Sequence, residues 1–174
     1  MLKESFVRAE VIRFPKVDAN NKALTDDAKN QIEALVKKAV EAIHAGKDTK
    51  AVIDEYMPQV LKLSTKADYT KAEDYIAEEY LAIEGSGYSE ALMQQIVAAE
   101  VGDAGYRVDT RNIYFFVKGD VMEKDDMYKA QAEKSETAAR EAAFKEDVEK
   151  YMKDFKVSYN QKAVEYFEPK KIKY

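Results

Sequence analysis

Cysteine is absent from this 174-residue chain, and its only histidine is His44. Without thiols there is no disulfide, no thiolate zinc site and no cysteine nucleophile. A zinc site of several histidines cannot be assembled, and Ser-His-Asp hydrolysis would have to use His44 alone. This histidine closes a predicted helix, where a cation is mildly favourable, so we expect it to have a capping or surface role. We predict no metal site and no cofactor.

Long apolar runs and excess positive charge are also lacking. The longest uncharged stretches fall far short of the roughly 20 residues that span a bilayer, so we expect no membrane insertion by this segment. Met1 to Glu10 carries charges where a signal peptide would be apolar. With 28 Lys and Arg against 33 Asp and Glu, the net charge of -5 argues against sequence-independent binding of nucleic acid.

The residues that are present are those of a folded protein. Hydrophobic residues make up 46% of the chain, and twelve Tyr and seven Phe supply large apolar bodies. Alternation predicts a strand from Phe6 to Phe14. Thr25 is a suitable N-cap for a helix that ends at Gly46. The apolar stripe of this helix is Ile32, Leu35, Val36, Ala39, Val40 and Ile43.

The middle of the chain is harder to interpret. A second, shorter helix is predicted to start at Asp48 or Thr49, with its apolar residues before Pro58. The stretch from Ala72 to Ile83 is helical by composition, although short strands around Tyr69 are an alternative. Gly85 to Gly87 forms a turn. The next predicted helix runs from Ser89 to Ala99, with Leu92, Met93, Ile96 and Val97 facing inward.

Two strands and a long helix complete the pattern. Tyr106–Asp109 and Asn112–Lys118 are rich in aromatic and β-branched residues, and we expect a tight turn at Thr110 and Arg111 between them. From Glu123 the composition shifts, and Lys124–Phe155 is predicted to be a long amphipathic helix. We therefore divide the chain into a domain of residues 1–122 and a C-terminal helix and tail of residues 123–174, with the tail from Val157 extended.

The order of these elements, together with several short motifs, resembles the parvulin family of peptidyl-prolyl isomerases, in particular the exported foldases of Gram-positive bacteria. The resemblance covers residues 6–120, and Phe144–Asn160 looks like the segment that follows the domain in those foldases. The motifs are VRAEVI at Val7–Ile12, AGKD at Ala45–Asp48, DEY at Asp54–Tyr56, EVGD at Glu100–Asp103 and IYFFVK at Ile113–Lys118. The resemblance implies an α+β fold, in which a small antiparallel or mixed sheet is flanked by helices and followed by the long C-terminal helix.

The resemblance also implies a degenerate active site. Active members carry histidines where this chain has Val11 and Tyr114, or Phe115 if the register slips, and an Asp or Cys near Gln59. No catalytic residue is therefore predicted. The residues that the resemblance implies for peptide binding are Tyr88, Leu92, Thr110, Tyr114 and Phe115.

An isomerase must bind the twisted prolyl bond better than either planar isomer. Without the polar floor of the family pocket, we expect binding of unfolded or proline-containing segments with weak or absent isomerase activity. An active isomerase, in which the phenol of Tyr114 substitutes for a histidine, is the alternative. A structural or oligomerisation domain is the second alternative.

Two further expectations concern assembly and location. The apolar stripe of the C-terminal helix, which includes Phe144 and Val148, needs a cover, either its own domain or a second copy in a homodimer. The resemblance implies an extracytoplasmic location, at the cell surface or secreted, if the chain is a mature fragment of an exported foldase. Otherwise we expect the protein to be cytoplasmic.

Overall fold

The computed structural model describes residues 2–155, except for the side chain of Asp154. It is an α+β fold with an antiparallel sheet, flanking helices and a long C-terminal helix, as predicted. The elements are α1 (Leu2–Ser5), β1 (Phe6–Pro15), α2 (Asp26–His44), α3 (Thr49–Leu63), a 3₁₀-helix (Ala72–Asp74), β2 (Ile76–Ala82), α4 (Glu90–Ala98), β3 (Ala104–Val108), β4 (Asn112–Gly119) and α5 (Asp126–Asp154).

The four-stranded sheet has the order β2-β1-β4-β3. Strand β1 is central and pairs antiparallel with both β2 and β4, so Val11 lies opposite Ala77 on one side and Phe116 on the other. Strands β3 and β4 form the hairpin that was predicted. Because side chains alternate along a strand, the two faces of this sheet carry different sets of residues.

Helices α2 and α3 cover one face of the sheet. Ile12 and Phe14 of β1 and Phe115 of β4 are fully buried there, and the Phe14 and Phe115 rings meet edge to face with centroids 6.2 Å apart. Thr25 caps α2 by accepting a hydrogen bond from the Ala28 N–H, as expected from the sequence. The apolar stripe of α2 packs with α3 and this face of the sheet in the larger of two apolar cores.

Helix α3 is longer than predicted. Asp48 is its N-cap, and Pro58 lies inside the helix. A proline removes one helical hydrogen bond and usually kinks or ends the helix. Here the helix continues to Leu63 because Met57, Val60 and Leu61 beside the proline are buried in the core. The burial of these three side chains offsets the loss of the helical hydrogen bond at Pro58.

The prediction of a helix over Ala72–Ile83 was wrong. After one 3₁₀ turn the chain enters β2, which pairs with β1 along its whole length. Leu81 is buried opposite Val7, whereas its neighbours on the strand are more exposed. The composition of this segment favours a helix, but its pairing with β1 decides the structure, because strand formation depends more on context than on local propensity.

Helix α4 covers the other face of the sheet. Ser89 caps it, and Leu92, Met93 and Ile96 pack against Val11 and Phe116 in the second apolar core. Val97, which was also predicted to face inward, is 41% exposed. Gly105 of β3 permits this packing, because a Cβ there would lie 2.6 Å from the Phe116 ring.

A buried arginine binds the segment that follows the sheet. Arg8 of β1 is 4% exposed and donates to Glu78 from Nε at 2.8 Å and from Nη2 at 2.5 Å. Nη2 also donates to Asp125 Oδ2 at 2.5 Å, and the other Asp125 oxygen accepts from the Tyr128 N–H in the first turn of α5. Burial lowers the pKa of Arg8, but hydrogen bonds to Glu78 and Asp125 more than compensate and hold it above the ordinary value.

The chain divides into two compact units, residues 1–131 and 132–174. The boundary that we placed after residue 122 stays a prediction. Within residues 2–155, no helix combines the length and the apolar character that crossing a bilayer requires. On α5, Phe144 is 71% exposed and Val148 38% exposed. The predicted extended tail from Val157 lies outside the described residues.

Candidate functional site

Val11 and Tyr114, two of the positions singled out from the sequence, lie on adjacent strands and on the same face of the sheet. Val11 pairs with Phe116, and Arg13, two residues further along β1, pairs with Tyr114. Residues two apart on a strand point to the same side, so all four belong to the face that α4 covers. Val11 is only 2% exposed, whereas Tyr114 is half-buried at the margin of the α4 core.

An aromatic and cationic cluster stands on this face. The rings of Tyr88 and Tyr114 meet edge to face, with centroids 5.7 Å apart. The Arg13 guanidinium carbon lies 5.9 Å from the centroid of each ring, within the range of a cation–π contact. A hydrogen bond to the Tyr88 side chain raises the pKa of Arg13 above its ordinary value, and the charge of Glu79 acts in the same direction. We call these three residues the Tyr88 cluster.

A hollow of about 600 Å³ begins at Tyr88 and extends between α4 and the loop that precedes it. We call it the α4 hollow. Its volume falls in the range of small-molecule sites, roughly 300 to 1,000 Å³. The residues that line it are Ile83, Glu84, Gly85, Ser86, Gly87, Tyr88, Glu90, Met93, Gln94 and Val97.

Backbone conformation shapes one wall of the α4 hollow. Gly85 and Gly87 have φ angles of +76° and +81°, a region that L side chains rarely adopt. The opposite wall is regular, because Ser89 starts α4 by accepting a hydrogen bond from the Leu92 N–H. The hollow is therefore bounded by a helix packed on the sheet and by a tight loop whose shape requires glycine.

Leu92 and Phe115, two of the predicted peptide-binding residues, are not accessible. Leu92 is fully buried on the side of α4 that packs against the sheet. Phe115 is fully buried on the opposite face of the sheet, in the core made with α2 and α3, so it does not share a face with Tyr88 and Tyr114. Thr110 is exposed in the turn between β3 and β4.

Gln59 is also separated from the Tyr88 cluster. It is exposed on α3, where its side-chain amide donates to the Glu55 carbonyl at 2.8 Å, and it lines a groove between α2 and α3. The residue that the sheet places beside Val11 on β2 is Ala77. Sequence reasoning missed Ala77 because it assigned this strand to a helix. It also missed Arg13, although the alternation of β1 puts Arg13 on the side of Val11.

The described residues offer no alternative metal chemistry. Within residues 2–155, no group of three or more His, Cys, Asp or Glu side chains is arranged to hold a metal ion. His44 is exposed at the last position of α2. The polar groups on the α4 side of the sheet include the phenols of Tyr88 and Tyr114, the guanidinium of Arg13, and the side chains of Glu79 and Lys118, which both lie opposite Ala9.

No family model, curated protein or solved structure matches this chain.

Proposed function

We propose that residues 6–120 are a parvulin-like binding domain that holds unfolded or proline-containing polypeptide segments and has weak or absent isomerase activity. The observation that carries the proposal is the α4 hollow, an accessible concave site that is lined by Tyr88, whose ring meets that of Tyr114; Val11 and Tyr114 themselves do not line it. The order of elements that suggested the resemblance supports it, apart from the strand β2 in place of a helix.

The chemistry of the hollow suits an apolar side chain. Ile83, Tyr88, Met93 and Val97 supply aliphatic and aromatic surface, and burial of such surface contributes about 25 cal/mol per Å². The planar rings of the Tyr88 cluster add a surface on which a proline ring packs well. An extended segment can present one apolar side chain to such a site without the cost of unfolding a structured partner.

Weak catalysis is expected from the strand residues that neighbour the cluster on this face of the sheet. Val11 and its neighbour Ala77 carry no polar side-chain atom, so neither forms a hydrogen bond that strengthens as the prolyl amide twists. Tyr114 is the group that supports the alternative of an active isomerase, because its phenol stands half-buried beside Arg13. The second alternative, a structural or oligomerisation domain, fits an open hollow less well.

The test is a titration of the full chain with fluorescent proline-containing peptides, using Val97→Asp with Val108→Asp as the matched control. Both valines are similarly exposed, at 41% and 39%, but only Val97 lines the α4 hollow. We expect saturable binding that Val97→Asp weakens by about tenfold, or ~1.4 kcal/mol, and that the control leaves unchanged. Absence of saturable binding, or equal loss in both variants, overturns the proposal.

A protease-coupled assay on proline peptides tests the catalytic part separately. Turnover comparable with that of an ordinary parvulin would establish the active-isomerase alternative, whatever the binding result. The extracytoplasmic location rests on the resemblance alone and is part of the proposal.

A further inference from the structure

The charged side chains that line the α4 hollow are both carboxylates, whereas Lys118 does not line it and donates from Nζ to the carbonyl of Val97 at 2.8 Å. Glu84 and Glu90 are exposed and line it, and its other lining residues are uncharged. Glu90 accepts a hydrogen bond from Gln94 Nε2 at 3.0 Å. In the described part of the chain, neither carboxylate forms an ion pair with a lysine or arginine, although many other exposed carboxylates do.

The interior of the hollow is apolar by contrast. Met93 is 4% exposed, and Val97 and Tyr88 form the sides. An apolar interior with a negative margin is complementary to an apolar side chain whose neighbours are positively charged. In an extended chain successive residues advance by about 3.3 Å, so the residues next to the inserted one reach the margin of a hollow of this size.

Arg13 limits where the positively charged residue of a bound segment can lie. Its guanidinium carbon lies 5.9 Å from the centroid of the Tyr88 ring, and Arg13 does not line the hollow. A lysine or arginine that approaches the Tyr88 cluster meets a like charge, whereas one beside Glu84 and Glu90 meets two carboxylates. The two ends of the site therefore differ in electrostatic preference.

We propose that the α4 hollow selects polypeptide segments in which an apolar residue, proline included, is flanked by lysine or arginine, with the cationic flank beside Glu84 and Glu90. This inference rests on the proposed function, and it names the class of segment that the binding domain takes.

The test uses three peptides with the same apolar, proline-containing core and flanks of Lys, Gln or Glu. Affinities of the full chain are measured by fluorescence anisotropy at low and at high salt. We expect the Lys-flanked peptide to bind about fivefold more tightly than the Gln-flanked one, the magnitude that two solvent-exposed charge pairs provide, and the Glu-flanked peptide to bind most weakly. High salt should reduce these differences, because it screens exposed charges.

The double variant E84Q/E90Q locates the preference, and E41Q/E100Q is the control. The control also removes two negative charges, but from exposed positions that do not line the hollow. We expect E84Q/E90Q to bind the three peptides with nearly equal affinity and the control to retain the fivefold preference. Thermal unfolding of both variants verifies that they are folded, since Glu90 also lies in the first turn of α4.

The other outcomes separate failure of the charge preference from failure of the proposed binding function. If the three peptides bind saturably but equally, the charge preference is wrong and the proposed binding function stands. If the control loses the preference as well, the net charge of the chain and not the margin of the hollow attracts the peptides, and the inference is wrong. If no peptide binds, the proposed function itself is overturned.

Discussion

Arg8 and Asp125 are joined by a 2.5 Å ion pair between strand β1 and the residue that caps helix α5. The arginine side chain is 5% exposed and the aspartate side chain 33% exposed. A guanidinium can serve several acceptors in a fixed plane, and here it also holds Glu78 on β2. One side chain thus fixes an edge strand and the start of the helix.

Replacement of Arg8 by Met should destabilise the protein strongly. It leaves Glu78 and Asp125 close together without their cation, and breaking such a pair costs several kcal/mol when buried, so we expect a loss of about 2 kcal/mol in the free energy of unfolding for these partly exposed partners. Urea denaturation measures it. Arg140→Met is the control, because the Arg140 side chain is 78% exposed in its i,i+4 pair with Glu136. Equal losses in the two variants would contradict the role of Arg8.

Replacement of Glu10 by Gln should stabilise the protein at neutral pH. Burial raises the pKa of Glu10 above its ordinary value of 4.5, and Glu78 directly opposite acts in the same direction. The folded state therefore binds the proton more tightly than the unfolded state, and stability falls as the pH rises from 4.5 through the raised pKa. We expect the gain from Glu10→Gln to be present at pH 7 and to vanish below about pH 4.

Asp125 provides a comparison of opposite sign. The hydrogen bond from the Tyr128 N–H, followed by the one from Arg8, lowers the pKa of Asp125. Its stabilising contribution is complete above the ordinary value of 3.8 and is lost as the pH falls through the lowered pKa. Asp125→Asn should therefore destabilise the protein at neutral pH. Denaturation curves that moved both variants in the same direction would refute the two assignments.

Replacement of Gly87 by Ala should lower the affinity for peptides, in addition to a loss of stability like that of Gly46→Ala. Among the described residues other than its two chain neighbours, no heavy atom lies within 4 Å of the added Cβ, so the cost is backbone strain at positive φ, about 1 to 2 kcal/mol. Gly46→Ala at the end of α2 is the control, because its φ of +85° gives a similar cost away from the α4 hollow. Calorimetry should show similar losses of stability, and only Gly87→Ala should weaken binding.

The C-terminal helix should bring two copies of the chain together. Exposed apolar residues recur on α5 at spacings of one, three and four, which places them on one side of the helix. They are Phe144, Val148, Tyr151 and Met152, and the exposed Phe155 follows directly after the end of α5. Light scattering should give twice the mass of 19.8 kDa for the intact chain. The double substitution of Phe144 and Tyr151 by Ser should give the monomer, and E141Q/K150Q should remain dimeric.

A monomeric wild-type chain at all accessible concentrations would refute the homodimer. The control variant removes one charge of each sign from the same helix, so it keeps the net charge and leaves the apolar side intact. Dissociation of both variants would indicate that the contact is not confined to the apolar side of α5.

Local signals predicted most of the fold. Thr25 caps α2 as expected, Asp48 is one of the two residues expected to start α3, and Ser89, where the next helix was expected to begin, caps α4. Such signals are readable because a capping side chain acts within three residues of its own position. Strand β2 could not be found in this way. Its Ala, Glu and Leu residues favour a helix locally, and its strand conformation depends on β1, more than sixty residues earlier in the chain.

The site was predictable in part for the same reason. Tyr88 and Tyr114 were selected through the resemblance, and the structure brings their rings together. Phe115 was selected beside Tyr114, although adjacent residues of a strand point to opposite faces. Arg13 could have been found from that alternation alone, whereas the α4 hollow could not, because it depends on how the loop before α4 lies against the helix.

The glycine loop gives the hollow an adjustable wall. Around Gly85 and Gly87 the described residues leave open space where side chains would otherwise pack, while Met93 on the facing helix is anchored in the interior. Residues added to or removed from this loop would change the width of the opening without repacking either apolar core. Ligand size can accordingly be re-engineered at one short segment while the scaffold stays as it is.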